Sequence, residues 1–106
     1  PELAQHRDMF GNPLLIRAVW ERRIEMCALL LRLGCKPDDV DANGATALHH
    51  AVDLWDPRLI ELLIAGGAST EIADENGDRP VDRAEASQKS DFQRIAAKAT
   101  PATGRP

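Results

Sequence analysis

No apolar run in these 106 residues approaches the ~18 that a bilayer-spanning helix requires, so nothing here reads as a membrane span. The opening residues do not read as a secretory leader. Positive charge is not in excess: 13 lysines and arginines face 17 acidic side chains, for a net charge of −4 and a pI near 5.3. Nucleic-acid binding driven by phosphate contacts needs the opposite balance. Cysteine is scarce. Cys27 and Cys35 lie in an apolar segment and make no metal-ligand pattern, so two buried free thiols in a reducing, cytoplasmic compartment are expected. Catalytic signatures are missing as well, with no G-x-S-x-G, no P-loop and no dinucleotide fingerprint. Asn76-Gly77-Asp78 lacks the ligand spacing of a calcium-binding loop. A chain this short buries a modest core and is not expected to frame a large catalytic cleft. Its 43 % apolar and 28 % charged residues fit a soluble folded protein.

What the sequence does have is a period. Asp8, Asp41 and Asp74 are spaced by 33 residues, as are Gly11, Gly44 and Gly77, and Ala18, Ala51 and Ala84. Leu29-Leu30 recurs as Leu62-Leu63, and Gly34 as Gly67. Chance does not set so many landmarks in one register, so the chain reads as three copies of one unit.

Each copy reads as two helices and a turn. Thr46 precedes an apolar run and is placed to cap its free N–H groups. Asp56-Pro57 opens a second helix, with proline where a missing N–H costs nothing. Leu59, Ile60, Leu62, Leu63 and Ile64 give that helix a broad apolar face, and Gly66-Gly67 ends it. In the first copy Asn12-Pro13 opens helix one, and helix two spans 24–33 before Gly34. In the third, Pro80 takes the first helical position of helix one, and 90–98 form a polar-faced second helix. Asn43-Gly44 and Asn76-Gly77 read as tight turns between copies.

Asp41 to Ala51, followed by Leu62 to Ala68, resembles an ankyrin repeat. The T-P-L-H-x-A motif of that family appears as Thr46-Ala47-Leu48-His49-His50-Ala51. The third copy matches less well, with Arg79-Pro80-Val81-Asp82-Arg83-Ala84. The first reads Pro13-Leu14-Leu15-Ile16-Arg17-Ala18, without the threonine and histidine. The resemblance covers residues 8 to about 98. It implies an all-α solenoid of three stacked helix-turn-helix units with short hairpin-like turns, at about 8–40, 41–73 and 74–98. A lead-in at 1–7 and a flexible tail at 99–106 flank them. The first copy is more apolar than a terminal unit should be. Either residues 1–7 cover it or the chain is a segment of a larger protein.

The resemblance also assigns the paired histidines. His49 falls on the motif histidine, which ties neighbouring turns together, while His50 points toward the concave side. His49 and Asp53 stand four residues apart on one helix, so a metal-dependent enzyme built on His49, His50 and Asp53 is a competing reading, but no third ligand falls at helical spacing. Cys27 lies on a helix face expected to be core, which argues against a nucleophile there.

The family implies a non-catalytic module that binds another protein on its concave face, with no cofactor, no metal and no small-molecule substrate. The positions carried over are Met9, Phe10, Asn12, Trp20 and Glu21 in the first copy. Ala42, Asn43, Ala45, His50, Asp53 and Leu54 follow in the second, and Glu75, Asn76, Asp78, Ala86 and Ser87 in the third. Phe10 and Trp20 are half of the four aromatics, and buried aromatics are the usual anchors of an interface. Trp55 stands where the family prefers glycine. Charge balances within 8–40 and within 74–106, so the middle copy holds the net −4. Glu71, Asp74, Glu75 and Asp78 crowd the turn after it. An acidic edge facing a basic partner is therefore expected. An inhibitor or immunity-type protein that occludes an enzyme is the alternative within the same fold.

Overall fold

The computed structural model describes residues 7–9 and 11–99. The elements in chain order are α1 (Leu14–Trp20), α2 (Ile24–Arg32), α3 (Ala47–Leu54), α4 (Pro57–Ala65), a 3-10 turn (Pro80–Arg83) and α5 (Ala86–Ala99). Among the described residues there is no strand, only an isolated bridge between Arg7 and Pro13. Thr46 caps α3 as expected. Its hydroxyl accepts from the His49 amide at 3.3 Å, and the His49 ring accepts from the Thr46 amide at 3.0 Å. Asp56 caps α4, accepting from the amides of Arg58 and Leu59, with Pro57 at the first helical position. Gly34 and Gly67 leave α2 and α4 at φ +99° and +105°, a region open to glycine and strained for other residues.

The helices pair and the pairs stack. α1 packs on α2 and α3, α3 on α4 and the 3-10 turn, and α4 on α2 and α5. One core runs through the stack. Ile16, Val19, Leu48, Leu59, Ile60, Leu63 and Phe92 are each at most 1 % exposed. Burying such a side chain contributes roughly 1.5–3 kcal/mol. No pair could do this alone, because each apolar face is covered by its neighbour. Cys27 and Cys35 are free and buried within this core, and burial pushes the Cys27 thiol up to about 11, far from a reactive thiolate.

The third unit departs from the expected helix pair. Its first helix, opening on Pro80, shrinks to the single 3-10 turn. Asp82 accepts from the Arg79 amide at 2.8 Å, the same kind of bond that opens α3, but the backbone is already extended at Ala84, and the Glu85 amide, donating to the Gln88 side chain at 3.0 Å, opens α5 at once. Its second helix starts four residues early, so Ala86 and Ser87 fall in the first turn of α5. α5 buries Phe92 against α4 and leaves Gln93, Arg94 and Lys98 exposed.

Candidate partner-binding face

The turns before the first helices share one construction. In each, the backbone N–H of a glycine donates to an aspartate carbonyl three residues back: Gly11 to Asp8, Gly44 to Asp41 and Gly77 to Asp74. The carboxylates of Asp41 and Asp74 then accept from two backbone amides of their own turn, at 2.9 and 3.0 Å in both cases. Successive turns are joined as well, the Glu75 amide donating to the Asn43 carbonyl at 3.0 Å.

Each aspartate also meets a basic side chain nine residues on. Asp8 meets Arg17 at 3.3 Å, Asp41 meets His50 at 2.8 Å and Asp74 meets Arg83 at 2.6 Å. The last two reach back a further unit, across thirty residues. The Trp20 indole N–H donates to His50 Nδ1 at 3.0 Å, and Arg83 donates to Asp53 at 2.6 Å. A polar ladder Trp20–His50–Asp41 and Asp53–Arg83–Asp74 thus runs along the first-helix side. Burial on its own would raise the Asp41 pKa, but the hydrogen bonds from His50 and from the Ala45 and Asn43 amides hold it below the usual carboxylate range. Asp74 falls to about 2, chiefly through the Arg83 hydrogen bond and then the Asp78 amide.

His49 does structural work at both ring nitrogens. Nδ1 accepts from the Thr46 amide, so the proton sits on Nε2, which donates to the Asp78 carbonyl of the next turn at 2.7 Å. The ring is fully buried, and that burial pushes its pKa down. Asp53 is likewise held by Arg83, and among the described residues no three His, Cys, Asp or Glu side chains gather as a metal site.

The expected contact residues fall into three groups. Met9 is 89 % exposed and Trp20 40 %; Glu21, Asn43, Asp53 and Glu75 are also exposed. Glu21 is paired with Arg17 and Arg23. Asn12, His50, Leu54 and Asp78 are half-buried: Asn12 is tied to Asp8, Leu54 packs against the core, and Asp78 lends its carbonyl to His49. Phe10 lies outside the described residues. Ala45 is corrected: it is 1 % exposed and belongs to the core, because the turn folds its methyl inward beside Thr46. Trp55 takes φ +47° and packs partly buried against the core rather than widening the exposed patch. Asp41 and Arg83 were absent from the expected set, yet the period held the signal, since the residue nine after each aspartate is basic in all three copies. A depression of about 660 Å³ opens elsewhere, among Arg22, Arg23, Met26, Leu29 and Arg58, and none of the expected residues lines it.

Known proteins agree with this architecture. A family model, the ankyrin repeat, matches residues 43–75. Diacylglycerol kinase zeta of Rattus norvegicus is 35 % identical over 90 residues, which is 82 % of this chain and 10 % of the kinase. The crystal structure of the ankyrin repeat domain of Bcl-3, a unique member of the IkappaB protein family, superposes with a TM-score of 0.74 at 26 % identity. That match covers 87 % of this chain and 43 % of the Bcl-3 chain. The chain therefore spans about a tenth of the kinase and under half of the Bcl-3 domain. Ankyrin repeats are generally protein-binding modules and typically non-catalytic. With residues 43–75 matching the ankyrin repeat, its helix pairs stacked and its turns built to one pattern, the chain folds as an ankyrin-repeat solenoid.

Proposed function

We propose that this chain is a non-catalytic module that binds another protein across the concave side formed by its turns and first helices. The observation that carries the reading is Trp20. A large aromatic at the end of a first helix stands 40 % exposed, with its indole N–H fixed by His50 and Met9 89 % exposed on the turn before it. An exposed apolar side chain held in one orientation gives a partner contact area at little ordering cost. Asp53 and Glu75 supply an acidic continuation, which suits a partner bearing basic residues opposite. The ladder beneath keeps these groups in fixed relation.

The test is capture of partners from source lysate, followed by affinity measurement with the recovered protein. Trp20→Ala combined with Phe10→Ala is expected to weaken binding at least ~30-fold, about 2 kcal/mol per anchor being usual for a buried aromatic. Gln93→Ala, on the exposed side of α5, is expected to leave it unchanged. Equal binding by all three proteins would place the contact surface elsewhere.

A further inference from the structure

The residue at the ladder position differs between units: Arg17, His50 and Arg83. Only the middle rung is an imidazole, a group that can take up or release a proton where a guanidinium stays charged. Its hydrogen bonds also fix its protonation state. The Trp20 Nε1–H can only donate, so His50 Nδ1 must accept and hold a lone pair. The single ring proton is then on Nε2, donating to Asp41 Oδ2 at 2.8 Å. The two rings meet edge to face, centroids 5.3 Å apart at 89°.

We propose that His50 is a proton-operated latch on Trp20, so that protonation of its ring releases the indole and remodels the binding face. The proton taken from solvent can bind only at the Nδ1 lone pair. That atom becomes N–H, and two donors then face each other at the 3.0 Å where one donor and one acceptor stood. The indole must swing away to rehydrate its N–H. On the other side nothing is lost, because Nε2–H to Asp41 becomes a charge-assisted bond between imidazolium and carboxylate. Trp20 is free to move, being 40 % exposed, whereas His50 is anchored by α3 and by Asp41, itself held by two turn amides.

The surroundings leave this step to His50. Arg17 and Glu21, the charged groups of α1 and its C-terminal cap, pair with each other. On α3 itself, His49 has both ring nitrogens engaged, and Asp53 is held by Arg83 of the 3-10 turn, which also holds Asp74. Asp82 of that turn pairs with Arg79. Arg58 and Glu61 of α4 are exposed to solvent, and Asp56 caps that helix.

As regulation of the proposed binding face the latch rests on that function, but its operation is measured without any partner. In the Trp55→Phe background, Trp20 is the sole tryptophan. Its fluorescence and its indole N–H resonance are followed from pH 8 to 5, beside the imidazole resonances of His50 and the far-UV circular dichroism. The expected result is a Trp20 change that shares the His50 midpoint while helicity is constant. His50→Gln, which can accept from Trp20 and donate to Asp41 without titrating, is expected to abolish it. His50→Arg, the residue type of the other two rungs, is expected to show the released signal at every pH. A His50 titration that leaves Trp20 unmoved, a step that persists in His50→Gln, or loss of helicity at or before the Trp20 change would each overturn the latch. If the latch operates but Trp20→Ala does not weaken partner binding, the proposed function fails and the latch stands.

Discussion

The joint between the first and middle helix pairs and the joint between the middle pair and the last unit occupy the same positions of the repeat with different chemistry. At the first, Trp20, His50 and Asp41 make a chain of one aromatic donor, one neutral imidazole and one carboxylate. At the second, Asp53, Arg83 and Asp74 make a fully ionic one, with the Asp74 side chain 1 % exposed. Both place a hydrogen bond across thirty residues of sequence and another across nine, so the backbone specifies where a rung falls and leaves its chemistry open. The two adjacent histidines divide the work in the same spirit. His49 reaches forward to the turn of the next unit, and His50 reaches back to the helix of the previous one.

The sharpest way to break that comparison is to remove each histidine in turn. His49→Ala leaves the Thr46 amide and the Asp78 carbonyl without their partner in a site closed to water. Lost packing and orphaned polar groups together are expected to destabilise by roughly 3 kcal/mol. His50→Ala, at a rung whose side chain keeps 16 % exposure so that water can reach the groups it leaves, is expected to cost less, roughly 1–2 kcal/mol. Urea denaturation of both variants checks the pair, and equal losses would mean the forward and backward links carry the same load.

Acid separates the joints by a second route. His49 is depressed below its ordinary 6.5, so the unfolded chain takes up this proton first, and the stability it confers is present above pH 6.5 and lost as pH falls through the folded value. Asp74 is depressed from 3.8 to about 2, so its contribution is intact above pH 3.8 and lost only on the way down to 2. Urea midpoints measured against pH are expected to fall in these two windows. Asp74→Asn should flatten the lower one and leave the upper one in place. Arg83→Met is expected to destabilise more than Arg17→Met, because Arg17 is half-exposed and its carboxylate partner Asp8 is less buried than Asp74.

The helix pairs were legible because their signals are local: Thr46 and Asp56 cap what they precede, and Gly34 and Gly67 stop what they follow. The last unit departs where a second helix start follows closely: the Glu85 amide donates to Gln88 and α5 opens at Ala86, within a segment whose period promised a longer first helix. That Trp20 is exposed was legible because it falls on a first-helix position where the repeat turns side chains outward. Ala45 was misplaced because a turn's period gives its address and not which way a methyl points. The ladder went unread although Asp41 and His50 stand nine apart in plain view. Only the stack reveals that the residue thirty positions earlier completes each rung.

A smaller effect tests how closely the pairs were matched to one another. Where α2 closes on Leu33, α4 closes on Gly66. A Cβ at Gly66 would sit 2.9 Å from a Leu31 methyl and 3.2 Å from the Leu62 carbonyl, so the neighbouring pair has grown into the space a side chain would fill. Gly66→Ala is expected to cost about 1 kcal/mol, less than a buried backbone clash because the Leu31 side chain can rotate, and the thermal midpoint reads it.

The smallest expected effect concerns Arg22 and Trp55, which occupy the same place in successive units and share a left-handed backbone, at φ +55° and +47°. Such a conformation costs a residue with a Cβ roughly 1–2 kcal/mol, and glycine would relieve most of it at about 0.5–1 kcal/mol of unfolded-chain entropy. What decides the sign is what each side chain returns. The Arg22 side chain is 51 % exposed, and its bonds to Asp56 and the Leu54 carbonyl are both long, at 3.4 Å. Trp55 packs against the core. Arg22→Gly is therefore expected to be neutral to stabilising, by at most ~1 kcal/mol, while Trp55→Gly destabilises through lost packing. Paired thermal melts measure both. Should Arg22→Gly lose as much as Trp55→Gly, those two long contacts are worth far more than an exposed arginine normally returns, and the first joint is held at Arg22 as firmly as at His50.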